Sequence, residues 1–177
     1  MSYSAVKKLK AQILALIESD ENSKVVAASL KSLDCRITIC KKFPKAIEIL
    51  ENKACDLIIS DVHLENGGNV FDFLRWAKAN PLSKNTPFVL LSCHPTKMAK
   101  YVEDGVRTTA RLLGADLFLT YEHFDASSFC QLIEPLVSTN QSTLERPAKS
   151  AIEMAASGKS LEQHNSNHQL NDHEEIE

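Results

Sequence analysis

At 177 residues, with 44% hydrophobic and 24% charged content, the chain suits one globular domain with some length to spare. A net charge of -3 gives no electrostatic footprint for nucleic acid, which needs Lys and Arg clustered on one surface. No apolar run reaches the length that crosses a bilayer, and five cysteines, an odd number without C-x-x-C spacing, argue against a disulfide framework or a structural zinc site. Reduced, mostly buried thiols and a cytoplasmic location are the expectation, with no nucleic-acid or membrane partner.

Lys7, Lys8 and Lys10 make a short basic lead over residues 1–10. The run Ile13 to Ile17 that follows is too short for a secretion signal and stops at Glu18, so it reads as a strand. Val26, Leu30 and Leu33 then share a helix face, and Cys35 to Ile39 is the second strand. Pro44 suits the first turn of a helix carrying Ala46, Ile49 and Leu50 inward. Asp56 to Ser60 is the third strand, and Phe73, Leu74 and Ala77 mark the third helix. Phe88 to Ser92, a helix within Thr96 to Leu113, and Asp116 to Leu119 follow in turn. Asp125 is the expected N-cap of a last helix through Phe129, Leu132 and Ile133.

Several of these strands are apolar at consecutive positions, as parallel strands covered on both faces are. Five strand-helix repeats with right-handed crossovers predict an α/β doubly wound parallel sheet, helices on both faces, over residues 11–137. Residues 138–177 contain no Phe, Trp or Tyr and are rich in Ser, Asn, Gln, Glu and His, which predicts a disordered polar tail.

Ligands in open parallel sheets sit beyond the carboxyl ends of the strands. Glu18-Ser19-Asp20-Glu21, Ser60-Asp61 and Ser92 fall at such ends. Carboxylates from adjacent strand ends suit Mg²⁺, a hard cation that takes oxygen ligands, and the cation in turn suits phosphoryl transfer to a carboxylate oxygen.

The stretch Asp56-Leu-Ile-Ile-Ser-Asp61-Val-His-Leu, the Gly67-Gly68 turn before Phe71-Asp72-Phe73-Leu74-Arg75, Thr86-Pro87-Phe88-Val89-Leu90-Leu91-Ser92, and Leu113-Gly114-Ala115-Asp116-Leu117-Phe118-Leu119-Thr120 together resemble the response-regulator receiver family. The resemblance covers residues about 13 to 137. It implies strand order 2-1-3-4-5, Mg²⁺ dependence, and a phosphoryl group received on Asp61 from a histidine kinase or phosphotransfer protein, with changed affinity for a downstream partner protein. It further implies Ser92 as the hydroxyl that bonds the phosphoryl oxygen, Glu18 as a metal ligand, the backbone carbonyl of His63 as another, and Phe118 as a switch residue beside Ser92. No enzyme activity is implied beyond self-phosphorylation and slow hydrolysis of the acyl phosphate.

Three positions depart from the family pattern. The second acidic position is Ser19, unless Asp20 and Glu21 serve on a longer strand. Tyr121-Glu122 replaces the family's Lys-Pro, and a neutral phenol cannot supply the lysine's point charge; Lys97 and Lys100 are the substitutes within reach in sequence. The segment from Ser92 to Gly114 is also longer by about two helical turns. Asp61 as a strand-end cap, a phosphorylation-independent pseudo-receiver, and a rim of His63, His94 and His123 binding a transition metal are the competing readings.

Overall fold

The computed structural model describes residues 10–63 and 68–144. Its elements alternate as the hydrophobic pattern requires: β1 (Gln12–Leu16), α1 (Asp20–Leu30), a 3-10 turn (Lys31–Leu33), β2 (Arg36–Cys40), α2 (Phe43–Asn52), β3 (Leu57–Asp61), α3 (Val70–Ala79), β4 (Phe88–Cys93), α4 (Lys97–Leu112), β5 (Leu117–Tyr121) and α5 (Ala126–Leu144). All pairings are parallel and the order is β2-β1-β3-β4-β5. Expected α/β architecture and strand order are both present.

Side-chain alternation sends each strand's apolar residues to two cores. Ile13, Ala15 and Ile17, Leu57 and Ile59, and Val89 and Leu91 meet Val26 and Leu30 of α1 and Phe129, Ile133 and Val137 of α5. Leu14 and Leu16, Ile58, and Phe88 and Leu90 meet Ala46 and Leu50 of α2, Phe73, Leu74 and Ala77 of α3, and Ala110 of α4. Within the second core, the Phe73 ring lies tilted against Phe43 at 5.1 Å and meets Phe88 edge-on at 5.6 Å.

Strand ends differ from the expectation by one or two residues, for a visible reason. Asp56 and Asp116 do not belong to β3 and β5 but latch the sheet's opposite edge: Asp56 accepts the Gln12 amide at 2.7 Å, and Asp116 accepts the Phe88 amide at 2.8 Å. At the other edge β3 and β5 extend, so Asp61 and Tyr121 are strand residues, whereas β1 ends at Leu16, one residue before the expected Ile17. Asp125 caps α5 as expected, accepting the Ser127 amide at 3.0 Å. Past Val137, α5 continues to Leu144, into the segment read as tail. Residues 1–9 and 145–177, which hold most of the basic lead and the rest of the tail, lie outside the described residues, as do 64–67.

Gly68 takes a φ of +93°, and a Cβ there would stand 2.8 Å from the Phe43 ring. A glycine is therefore needed on the approach to α3, both for its backbone conformation and for its closeness to the core.

Candidate functional site

Strand β1 is flanked by β2 and β3, so the chain crosses over in opposite directions from this point, and a crevice opens beyond the carboxyl ends of β1 and β3. A pocket of about 300 Å³ lies there, lined by Glu18, Ser19, Asn22, Asp61, His63 and Cys93. Asp61 is the last residue of β3 and only 7% exposed. Its Oδ1 accepts the backbone N–H of His63 at 3.1 Å. Burial holds the Asp61 carboxyl above the usual carboxylate range, and the neighbouring Glu18 charge adds to this, against the lowering effect of the His63 amide.

Two carboxylates thus face one pocket, and among the described residues lining it there is no Lys or Arg. That donor set, two carboxylates at one pocket that His63 also lines, fits Mg²⁺, which takes few protein oxygens and keeps several waters. Asp20 is elsewhere. As the first residue of α1 it is exposed and pairs with Lys41 at 2.6 Å, and this lysine holds its carboxyl below the usual range. Ser19, in the second acidic position, caps α1 by accepting the Asn22 amide at 3.3 Å. The acidic loop is thereby divided: Glu18 faces the pocket and Asp20 begins a helix.

Ser92 is 3% exposed and is not among the pocket-lining residues. Strand alternation explains this, since Leu91 and Cys93 share the face of Asp61 while Ser92 follows Leu90 toward the second core. Cys93 is the residue that sequence reasoning passed over; counting the pleat from Val89 would have found it. Burial, with the Asp61 charge beside it, pushes its thiol up to about 11.

Phe118 lies on the far side of β5, packed against the second core. The Arg107 guanidinium stands 4.7 Å from its ring centroid and donates to its carbonyl at 3.0 Å. These residues with Arg111 line a second pocket of about 230 Å³.

Tyr121 does not line the pocket that holds the carboxylates. Its ring packs on Phe124 and Phe129, at 5.3 Å and 6.5 Å between centroids, and its hydroxyl is buried with no hydrogen-bond partner among the described residues. Lys100, a candidate substitute for the family's lysine, pairs with Glu122, and Lys97 is exposed at the start of α4. His94 and His123 are exposed, and among the described residues no three His, Cys, Asp or Glu side chains converge as metal ligands.

An unpaired buried hydroxyl costs about 1–3 kcal/mol. Tyr121→Phe is therefore expected to leave the domain as stable as the wild type, or more stable by up to about that amount, in urea denaturation. A clear loss of stability would show that the hydroxyl is hydrogen-bonded in solution.

Known structures agree with this architecture. The chemotaxis response regulator CheY4 of Vibrio cholerae superposes with a TM-score of 0.60 at 20% identity, over 72% of this chain and 99% of its own. The receiver domain of a sensor histidine kinase from Pseudomonas aeruginosa, described with a magnesium ion coordinated in its active-site cleft, gives 0.60 at 21%, over 73% and 99%. The non-phosphorylated HemR receiver domain of Leptospira biflexa gives 0.59 at 22%, over 73% and 95%. The chain has the receiver fold. No protein-family model matches it, and no curated protein matches it in sequence. Among the described residues no helix is long and apolar enough to cross a membrane.

Proposed function

We propose that this chain is a receiver module of two-component signalling, in which Asp61 accepts a phosphoryl group from a histidine kinase or phosphotransfer protein in the cytoplasm. The observation that carries the reading is the buried Asp61 carboxylate at the end of β3, facing Glu18 across a pocket at the sheet's crossover point. An Asp61 oxygen attacks phosphorus, the bond from phosphorus to the donor's imidazole nitrogen breaks, and an acyl phosphate forms. Glu18, Asp61 and the His63 carbonyl would hold Mg²⁺, which supplies charge neutralisation for the incoming phosphoryl oxygens. The His63 amide fixes the orientation of the Asp61 carboxylate through its 3.1 Å bond. Ser92 sits one residue before the pocket-lining Cys93; its hydroxyl is assigned to the phosphorylated state, with Phe118 responding beside it. A downstream partner protein reads the change. No independent enzymatic activity is assigned.

A second reading is favoured by one observation. Tyr121 packs into the aromatic cluster with Phe124 and Phe129 rather than lining the acceptor pocket, so β5 contributes no cation to a phosphoryl group. On this reading the domain binds its partner without phosphorylation. Incubation with acetyl phosphate and Mg²⁺ separates the two: the first expects an intact-mass gain of one phosphate in wild type and none in Asp61→Asn. No gain in wild type supports the pseudo-receiver.

A further inference from the structure

Two of the five thiols bond to consecutive carbonyls at the end of α1. Cys35, just beyond the 3-10 turn, donates its S–H to the Leu30 carbonyl at 3.1 Å. Cys130, on α5, donates to the Ser29 carbonyl at 3.2 Å, and its sulfur lies 3.7 Å from the Ser32 hydroxyl. Ser29 and Leu30 are consecutive residues of α1, so their carbonyl oxygens stand about 3.5 Å apart by helix geometry, which keeps the two sulfurs within about 10 Å. Both thiols are half-buried and free. We propose that Cys35 and Cys130 form a thiol pair that closes to a reversible disulfide by exchange with a small disulfide oxidant, clasping α5 to the end of α1.

The surroundings favour this pair over Cys40 and Cys93. Cys40 and Cys93 are pushed up to about 11 by burial, so almost none of either is thiolate at neutral pH. Burial also raises the Cys35 thiol, and we place the first exchange step at Cys130. In that step the Cys130 thiolate attacks one oxidant sulfur, the oxidant's S–S bond breaks, and one small thiol leaves. Cys35 thiolate then attacks Cys130 Sγ in the mixed disulfide, releasing the second small thiol. Two electrons pass from the protein pair to the oxidant, and the two protein protons reappear on the released thiols. Each cysteine gives up one weak S–H···O bond, and the cross-link joins residues far apart in sequence, where closing a long loop stabilises most.

The test uses the full chain and oxidised glutathione, followed by alkylation, intact mass and non-reducing peptide mapping. The expected product has lost two hydrogens, leaves three of the five thiols alkylatable, and links the Cys35 peptide to the Cys130 peptide. Its melting temperature rises and returns to the starting value with dithiothreitol. In Cys35→Ser the reaction stops with glutathione retained on Cys130. Wild type that keeps all five thiols, that stops at a mixed disulfide, or that links a different pair overturns the proposal. The mapping is done on wild type, so the result stands whether or not the variants fold.

Discussion

Without divalent cation at neutral pH, Asp61→Asn is expected to be more stable than wild type and to lose most of the stabilisation that Mg²⁺ gives. Burial and the Glu18 charge hold the Asp61 carboxyl above its usual value of 3.8 in the folded chain. Below that value both folded and unfolded states carry the proton, and the group's favourable contribution is fully present. As pH rises through the folded value the buried carboxylate ionises, and that contribution is lost. An amide has no such loss, so the difference between variant and wild type should open above pH 3.8 and vanish at lower pH. Mg²⁺ offsets the paired charges of Glu18 and Asp61 and should raise the wild-type melting temperature. Thermal denaturation across pH, with and without Mg²⁺, reads both effects. Equal stability at every pH, with no Mg²⁺ response, would mean that the two carboxylates do not share a pocket in solution.

Phe129→Ala should cost about 3–5 kcal/mol, the usual range for removing a buried phenyl ring. Phe129 is fully buried and joins α5 to the first core, with its ring 5.2 Å from Phe124 and 6.5 Å from Tyr121. On the same helix, Leu132 is 42% exposed, and truncating it to Ala should change stability by no more than about 0.5 kcal/mol. Urea denaturation of the two variants compares them directly. Similar small losses in both would mean that α5 does not dock through this face. A collapse of the aromatic cluster would also free Tyr121, so the phosphate response of Phe129→Ala bears on whether that residue's orientation limits the site.

Apolar runs bounded by polar residues made the five strands legible, because a buried parallel strand has little choice but consecutive Val, Ile and Leu. The pocket was legible in outline: Asp61, Glu18 and His63 are brought together at one edge. What sequence reading left open was the direction of side chains within that edge. Asp20 and Glu21 were alternatives to Ser19 until the Ser19 cap fixed where α1 begins. Cys93 and Ser92 exchange faces with a single step along β4, and no composition signal distinguishes them. Asp56 and Asp116 look like the other strand-end carboxylates, yet their bonds to Gln12 and Phe88 amides place them in the opposite edge's latches. Tyr121 was read as a missing charge; its packing with Phe124 and Phe129 shows that the position has become part of the core. That outcome depends on residues distant in sequence, and for that reason it was not visible from the local motif.

The central claim is that Asp61 is the carboxylate that takes the phosphoryl group. Reaction of wild type with acetyl phosphate and Mg²⁺, borohydride reduction of the acyl phosphate and peptide mapping would locate the acceptor directly. The account predicts conversion of the Asp61 side chain to an alcohol in the peptide spanning β3, dependent on Mg²⁺ and on the phosphodonor. Conversion at Glu18 or another carboxylate, a stable phosphate on His63 or Ser92, or no modification at all would contradict it.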